Sequence, residues 1–185
     1  MKAIIRAVAN EISTVLSNVK EEEVLKLVTE LRKAKRIFVL GEGRSGLMGK
    51  AFAMRLMHGG YHVYVVGETI TPSIEAGDLL VVISGSGSTD SIFHFIEKAK
   101  KVGAKVFLVT TNRESKIASI SNEMLVIPAA TKYRRRNEPQ TIQPLGNQFD
   151  QSVHLLLDAI IIYSLQIETN EQLNEEMRKR HANLE

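Results

Sequence analysis

Residues 79–90 read Leu-Leu-Val-Val-Ile-Ser-Gly-Ser-Gly-Ser-Thr-Asp, and this stretch decides the fold. Five apolar residues end abruptly in alternating hydroxyls and glycines, and an amphipathic run over 89–102 follows. The pattern predicts a buried strand at 79–83, a tight loop and a helix N-terminus. The first N–H groups of a helix lack internal acceptors and the helix dipole adds positive charge there, so the loop is suited to an anion such as phosphate.

The loop after this strand has more hydroxyl groups than a helix cap requires. A cap needs one side chain, which Ser88 or Thr89 could supply, whereas four hydroxyl residues occur here. No Lys or Arg lies in the loop, so N–H and O–H donors would hold the charge. We therefore predict phosphate binding. The predicted ligands are Ser84, Ser86, Thr89, the N–H groups of Gly85, Ser86, Gly87 and Ser88, and the hydroxyl of Ser45.

Four more short apolar runs predict strands of one parallel sheet. They lie at 37–40, 63–66, 106–109 and 124–127. Strands that are apolar on both faces are typical of a sheet covered on both sides, because right-handed crossovers place helices on each face. The prediction is an α/β fold, a three-layer α/β/α sandwich around a five-stranded parallel sheet. The predicted helices are 3–19, 21–34, 45–58, 89–102, 114–120, 148–168 and 171–180, the last capped by Asn170.

The 185 residues are predicted to form a single domain. Its predicted parts are N-terminal helices (1–35), the sheet core (36–129), a loop (130–147), and C-terminal helices with a tail (148–185). Ligands of such sheets bind at the carboxyl ends of the strands, where the winding reverses. The loops at this edge are 41–46, 67–73, 84–89 and 110–113.

Composition and charge exclude several classes of protein. Hydrophobic residues make up 44% and charged residues 24%, and the net charge of +3 alone does not indicate a nucleic-acid partner. The absence of cysteine excludes disulfides and thiolate metal sites. No signal peptide is evident, and no apolar run approaches the roughly 20 residues of a membrane span. We expect a cytoplasmic protein that binds neither membrane nor nucleic acid.

A second glycine-rich loop, 41–46, reads Gly-Glu-Gly-Arg-Ser-Gly between a predicted strand and a predicted helix. It matches G-x-G-x-x-G, and Glu68 at the end of the next strand is placed like the ribose-binding acid of a Rossmann fold. A dehydrogenase also needs a substrate domain, for which little chain is left. Arg44 and Ser45 favour a compact anion over an extended pyrophosphate.

The two loops together resemble the sugar isomerase (SIS) family of phosphosugar-binding domains. Residues 41–46 match its G-x-G-[RK]-S-G motif, and residues 83–89 match I-S-x-S-G-x-[ST]. Further segments are similar to the 6-phospho-3-hexuloisomerases of this family. These segments are 53–58 (Ala-Met-Arg-Leu-Met-His), 66–72, 143–146 and 180–184 (Arg-His-Ala-Asn-Leu). The resemblance spans nearly the whole chain.

The resemblance implies a fold, a reaction and an assembly. The fold is flavodoxin-like with extra helices at both termini. The reaction interconverts D-arabino-hex-3-ulose 6-phosphate and fructose 6-phosphate through an enediol(ate), in the ribulose monophosphate route of formaldehyde fixation and detoxification. It requires a phosphate anchor, a base and donors for the enediolate oxygens, and no metal or redox cofactor. The assembly is a homotetramer built from dimers, in which the apolar face of helix 3–19 could pack on another subunit.

Asp150 and His181 are the candidate catalytic residues. Related hexuloisomerases usually have a glutamate after the residue corresponding to Phe149, and aspartate is one methylene shorter. Asp150 could instead form a capping box with Asn147. His181 would otherwise be a frayed terminal histidine, but in SIS isomerases a histidine near the C-terminus can reach the sugar, often from a neighbouring subunit.

Other polar residues receive supporting or alternative roles. We predict that Arg44 neutralises the phosphate or the enediolate, and that Glu68 and Thr71 line the pocket. His58 could be a cation at a helix C-terminus or a site residue. The basic run 132–136 is either a solvated loop or an aid to drawing in the phosphosugar.

Three alternatives to this function stay open at the level of sequence. The first is another SIS isomerase, such as one acting on arabinose 5-phosphate. The second is a non-catalytic phosphosugar sensor, although sensors of this fold commonly carry a DNA-binding domain for which this chain has no room. The third is the Rossmann oxidoreductase.

Overall fold

The helices and strands follow the predicted order closely. A computed structural model describes residues 1–165 and 170–184. The helices are α1 (Lys2–Ser17), α2 (Glu21–Lys33), α3 (Gly43–His58), α4 (Asp90–Lys101), α5 (Asn147–Leu165) and α6 (Asn170–Lys179). The strands are β1 (Ile37–Gly41), β2 (Val63–Val65), β3 (Leu79–Ile83), β4 (Lys105–Thr110) and β5 (Glu123–Val126).

The five strands form one parallel sheet in the order β2-β1-β3-β4-β5. This confirms the predicted sheet. The order reverses between β1 and β3, which is the switch point where open α/β sheets bind ligands. Gly41 at the end of β1 is paired with Ile83 at the end of β3. The two glycine-rich loops therefore leave the sheet side by side.

The strand residues alternate between two hydrophobic cores, one on each face of the sheet. Val39, Val81 and Val109 pack in a core with residues of α1, α2, α3 and α5. Leu40 and Val82 pack in a second core with residues of α4. Every residue of β3 is buried, as expected for a central parallel strand with helices on both faces. The α/β/α sandwich is thus confirmed, with more helices on one face than on the other.

The predicted helix 114–120 is wrong, since only a single 3-10 turn at Ala118–Ile120 forms there. Side chains upstream of it bind nearby backbone instead. The N–H of Glu114 donates to Asn112 Oδ1 at 3.0 Å, and the N–H of Ala118 donates to Ser115 Oγ at 3.2 Å. Such local bonds compete with helix formation.

The remaining boundaries shift by a few residues. Helix α3 begins at Gly43 rather than at residue 45. The predicted end of α5 at residue 168 and the cap from the side chain of Asn170 lie outside the part of the chain whose conformation is described. None of the described helices is long and apolar enough to cross a membrane.

Candidate active site

A cavity of about 420 Å³ opens at the carboxyl edge of the sheet, above the switch point. Its size is within the range of small-molecule sites. Seven of the predicted site residues line it: Arg44, Ser45, Ser84, Gly85, Ser86, Thr89 and Asp150. The cavity is also lined by Glu42 and Thr131, which were not singled out from the sequence, and by Lys132 of the basic run 132–136.

The Ser/Gly loop after β3 is held in place by the neighbouring strand. The hydroxyls of Thr110 and Thr111 donate to the carbonyl of Gly85 at 3.2 and 2.9 Å. The N–H of Ile117 donates to the carbonyl of Gly87 at 3.0 Å. These bonds hold the loop from the side away from the cavity.

The hydroxyls of the loop are not used to cap α4. Thr89 occupies the N-cap position, but its side chain makes no capping hydrogen bond. Ser88 Oγ donates to Ser86 Oγ at 3.0 Å, and Ser86 and Thr89 line the cavity. The alternative of a simple helix cap is therefore not what the structure shows, and the arrangement suits an anion.

Two glycines of the loop are required by close packing. A Cβ at Gly85 would lie 2.9 Å from the ring of Phe149. Gly87 has a φ of +63°, and a Cβ there would lie 2.1 Å from Ser115 Oγ. Any larger residue at either position would displace the loop or α5.

Arg44, Ser45 and Asp150 meet across the cavity from two helices. Ser45 Oγ donates to Asp150 Oδ1 at 3.0 Å, and Arg44 Nε donates to Asp150 Oδ2 at 3.2 Å. Asp150 is 5% exposed, whereas more than half of the Arg44 side chain is accessible. The structure therefore brings together a buried carboxylate, a hydroxyl and an accessible cation.

The environment of Asp150 shifts its titration. Burial raises the pKa of its carboxyl above the usual 3.8, and the hydrogen bond from Ser45 and the charge of Arg44 oppose this rise. A raised pKa makes the carboxylate a stronger base than an exposed aspartate. This is the direction expected of a group that takes a proton from carbon.

The capping-box alternative for Asp150 has little support in this geometry. Helix α5 begins at Asn147, so Asn147 is its first residue rather than its cap. The Asp150 carboxylate accepts its side-chain hydrogen bonds from Ser45 and Arg44, over 100 residues earlier in the chain. The side chain thus faces α3 and the cavity.

Glu42 is a second carboxylate at the cavity. It is the N-cap residue of α3, and Ser91 of α4 donates a short hydrogen bond to Glu42 Oε1. This bond links the N-termini of the two helices on either side of the switch point. Glu42 lies inside the 41–46 motif, so the sequence placed it near the site. The motif leaves its position unspecified, and Glu42 was therefore not predicted to be a site residue.

Several predicted site residues do not line this cavity. Glu68 forms an exposed ion pair with Lys50 at 2.6 Å, and Thr71 Oγ1 donates to the carbonyl of Val65 at 2.5 Å. Both follow β2, on the same edge of the sheet. Gly87 and Ser88 belong to the Ser/Gly loop but are not among the residues that line the cavity.

His181 lies at the opposite end of α3 from the cavity. Its ring stacks on His58, with centroids 5.3 Å apart and planes 11° from parallel. Arg180 Nη1 donates to the carbonyl of His58 at 3.2 Å. Within its own chain, therefore, the tail is attached to the C-terminus of α3, at the amino edge of the sheet.

His58 is buried beneath this tail. Burial, the charge of Arg55 and the proximity of His181 lower the pKa of His58 below 6.5. Arg55 Nη1 lies 3.2 Å from His58 Nδ1, and because a guanidinium only donates, that ring nitrogen accepts. A neutral ring argues against the alternative that His58 is a helix C-terminal cation.

Among the described residues, no group of three or more His, Asp or Glu side chains is arranged to hold a metal ion. Asp150, His154 and Asp158 follow one another at intervals of four residues on α5, but they differ in their surroundings. Asp150 faces the cavity, whereas His154 and Asp158 are half exposed and lie 3.8 Å apart.

Comparisons with known proteins agree with this geometry. Residues 30–141 match the family model of the SIS domain. The chain is 38% identical to the 3-hexulose-6-phosphate isomerase of Bacillus subtilis over 178 residues, covering 96% of this chain and 95% of that protein. It is 40% identical to the enzyme of the same name from Mycobacterium gastri, covering 96% and 88% of the two chains.

A solved structure extends the likeness to three dimensions. A Methanococcus jannaschii protein, whose crystal structure was described as inferring a molecular function of 3-hexulose-6-phosphate isomerase, superposes with a TM-score of 0.81. The two share 32% identity over 97% of this chain and 98% of that one. This chain therefore belongs to the SIS domain family, and its similarity to the relatives named 3-hexulose-6-phosphate isomerase extends over almost its entire length.

Proposed function

We propose that the protein is a 3-hexulose-6-phosphate isomerase, which interconverts D-arabino-hex-3-ulose 6-phosphate and fructose 6-phosphate. One observation carries this conclusion: a buried carboxylate, Asp150, lies in the same cavity as a hydroxyl- and N–H-lined loop suited to phosphate. The names of the Bacillus subtilis and Mycobacterium gastri relatives, 3-hexulose-6-phosphate isomerase, support the same reaction. In the ribulose monophosphate route, this reaction supplies fructose 6-phosphate.

The phosphate of the substrate is held by the Ser/Gly loop in this proposal. Ser84, Ser86 and Thr89 provide hydroxyls, and the N-terminus of α4 provides N–H groups and the positive end of its dipole. Anchoring the phosphate fixes the distance of the reactive carbons from the loop. Those carbons then lie toward Arg44 and the start of α5.

Asp150 is the proposed base. It removes the proton from C2 of the 3-ketohexose, and the electron pair forms the C2–C3 double bond of an enediolate. The proton of the C2 hydroxyl passes to the C3 oxygen, the carbon-bound proton or one from solvent is delivered to C3, and the C2–C3 double bond is replaced by a carbonyl at C2. Arg44 lies beside the carboxylate and stabilises negative charge on the enediolate oxygens. Ser45 orients the Asp150 carboxylate through its hydrogen bond.

His181 stays a prediction in this scheme. In its own chain it stacks on His58 and does not line the cavity described above. A catalytic role therefore requires that the tail reach the cavity of a second copy. Glu68 and Thr71 likewise stay predicted pocket residues, at the same edge of the sheet.

A homotetramer in the cytoplasm completes the proposal. Support for self-association comes from an apolar groove between α1 and α5, where Ile4, Ile5 and Leu155 are at least half exposed. Surfaces of this kind commonly pack against another subunit. The number of subunits can be measured by sedimentation equilibrium.

The direct test uses purified protein and D-arabino-hex-3-ulose 6-phosphate. We expect fructose 6-phosphate to form without added metal or nucleotide and with no loss of rate in EDTA. In D2O, deuterium should enter the product at C3, because the proton passes through an exchangeable group on the base. Tight binding of sugar phosphates without turnover would favour the sensor, and turnover of arabinose 5-phosphate alone would favour the other isomerase.

A further inference from the structure

Residues 131–146 form one wall of the cavity, and we call this segment the wall loop. Both of its ends line the cavity: Thr131 and Lys132 at one end, and Leu145 and Gly146 at the other. The segment between them contains no regular helix or strand. Side-chain hydrogen bonds hold the two ends together.

Arg134 makes this connection. Its Nη1 donates to the carbonyls of Thr131 and Leu145 at 2.5 and 2.9 Å, and its Nη2 donates to the carbonyl of Gln143 at 2.5 Å. One guanidinium thus bonds to both ends of the wall loop. Arg134 also has a φ of +46°, a conformation that is unfavourable for a residue with a Cβ, and the three charge-assisted bonds offset that cost.

Two carboxylates hold the same loop from other directions. Glu138 accepts the N–H of Thr131 at 2.9 Å and its hydroxyl at 2.6 Å. Glu11 of α1 accepts from Thr141 Oγ1 at 2.5 Å and from the N–H of Ile142 at 2.9 Å. The wall loop is therefore held by specific hydrogen bonds, and the sequence-based alternative of a solvated loop applies to only part of it.

Lys132 is the cation of the cavity that has no acidic partner. The other cation, Arg44, is paired with Asp150. In the part of the chain that the structure describes, Lys132 forms no ion pair, and its ammonium lies 5.2 Å from the centre of its neighbour's ring, that of Tyr133. The Ser/Gly loop itself has no cation. A phosphate dianion in the cavity would thus find one unneutralised positive charge, on the wall loop.

From these contacts we infer that Lys132 is a binding residue for the substrate phosphate, and that Arg134 is the positioning residue that holds Lys132 at the cavity. The inference deepens the proposed function and rests on it for the identity of the substrate. Lys132 completes the charge balance of a loop that otherwise offers only neutral donors. Arg134 acts only through the wall loop and touches no substrate.

Steady-state kinetics with D-arabino-hex-3-ulose 6-phosphate test both roles. Lys132→Met should raise KM by about tenfold or more with kcat nearly unchanged, because a phosphate contact is made equally in the ground and transition states. Arg134→Gln should raise KM in the same way. The KM of the double variant should be no higher than that of Lys132→Met, since both changes act on the same phosphate contact. Arg136→Gln is the matched control, because Arg136 forms no hydrogen bond or ion pair among the described residues.

Chymotrypsin cleavage after Tyr133 tests the positioning role independently of turnover. Arg134→Gln should speed this cleavage several-fold relative to the wild type and to Arg136→Gln, as release of the wall loop exposes its backbone. Circular dichroism checks that each variant is folded. The affinity for inorganic phosphate, measured by calorimetry, should fall in Lys132→Met and in Arg134→Gln but not in Arg136→Gln.

The outcomes separate the two proposals. A wild-type protein without isomerase activity overturns the proposed function, while phosphate affinity and chymotrypsin cleavage still decide the inference. A fall in kcat at constant KM in Lys132→Met would place its charge at the enediolate and overturn the phosphate assignment. Equal KM values for Arg134→Gln and Arg136→Gln, with equal cleavage rates, would overturn the positioning role.

Discussion

Helix α3 has a polar cluster at each end, and the two clusters differ in what surrounds them. At the N-terminal end, Arg44 and Ser45 meet Asp150 at the rim of a cavity. At the C-terminal end, His58 is covered by His181 and Arg180 of the C-terminal tail. Both clusters contain a titratable group with a shifted pKa, and the first opens onto the cavity described above.

The contrast separates two buried titratable groups by what they face, and a perturbed group that also faces a cavity is the better candidate for a functional residue. Burial raises the pKa of the Asp150 carboxyl and lowers the pKa of the His58 ring, so in each case the neutral form is favoured. For Asp150 the neighbours Arg44 and Ser45 oppose the shift and favour the ionised carboxylate. For His58 the neighbours Arg55 and His181 reinforce it, and the ring becomes a neutral packing element.

The largest effect is expected at the N-terminal cluster. Asp150→Asn should lower kcat by about 10²-fold or more, because the amide cannot accept a proton from carbon. KM should change little, since the phosphate loop is intact. Steady-state kinetics of isomerisation measure both constants.

Asp158→Asn is the control for this change, since Asp158 is on the same helix but half exposed beside His154. The folded protein binds the Asp150 proton more tightly than the unfolded chain does, so ionisation of this group lowers the free energy of unfolding as pH rises above about 3.8. Asp150→Asn removes that dependence. Near-normal turnover together with a loss of stability would leave Asp150 a structural residue.

Ser86→Ala tests the phosphate loop beside the N-terminal cluster and should have the next largest effect. We expect KM to rise by about tenfold with kcat nearly unchanged, because the lost hydroxyl contacts a group that does not react. Ser119→Ala, which removes an exposed hydroxyl bonded to the carbonyl of Lys116, serves as the control. An effect on kcat alone would move Ser86 from the anchor to the reacting centre.

Arg44→Gln should move the acid limb of kcat/KM to higher pH. The charge of Arg44 lowers the pKa of Asp150, and its removal leaves the effect of burial less opposed. Because the base acts in its ionised form, activity should then be lost at a higher pH as the solution is acidified. A pH–rate profile measures the shift, and an unchanged limb would mean that another group is the base.

His58 gives the opposite dependence of stability on pH. The unfolded chain binds a proton on His58 more tightly than the folded protein does, so the free energy of unfolding should decrease as pH falls below 6.5. His58→Asn should weaken this dependence, whereas His154→Asn should not. Urea unfolding of the three proteins between pH 8 and pH 5 provides the comparison, and equal slopes would contradict it.

Removal of residues 181–184 with the terminal residue separates the two interpretations of His181 and should have the smallest effect on turnover. If the tail only packs on His58 of its own chain, kcat should stay within about threefold of the wild type. A loss of a hundredfold would instead establish the catalytic role predicted from the sequence. Recovery of activity on mixing with Asp150→Asn would then show that the tail acts on a neighbouring subunit.

Local pattern was enough to predict the sheet and the position of the Ser/Gly loop, residues 84–89, at its carboxyl edge. Five short apolar runs, four of them followed by glycine or a hydroxyl residue and the fifth by Pro128, predict buried parallel strands and the edge where their loops meet. Residues 84–89 could be predicted to form an anion-binding loop because the strand, the donors and the helix start are contiguous, and that role stays a prediction. The boundaries differ by only a few residues, and the failed helix at 114–120 was displaced by local side-chain bonds.

Tertiary structure alone decided what the polar residues outside that loop contact. Asp150 and Arg44 are 106 positions apart, so no periodicity could tell a capping carboxylate from one that faces α3. The same holds for Glu42 with Ser91, for the wall loop joined by Arg134, and for His181 on His58. Sequence spacing determines which residues share an element, whereas contacts between elements depend on how the helices pack on the sheet.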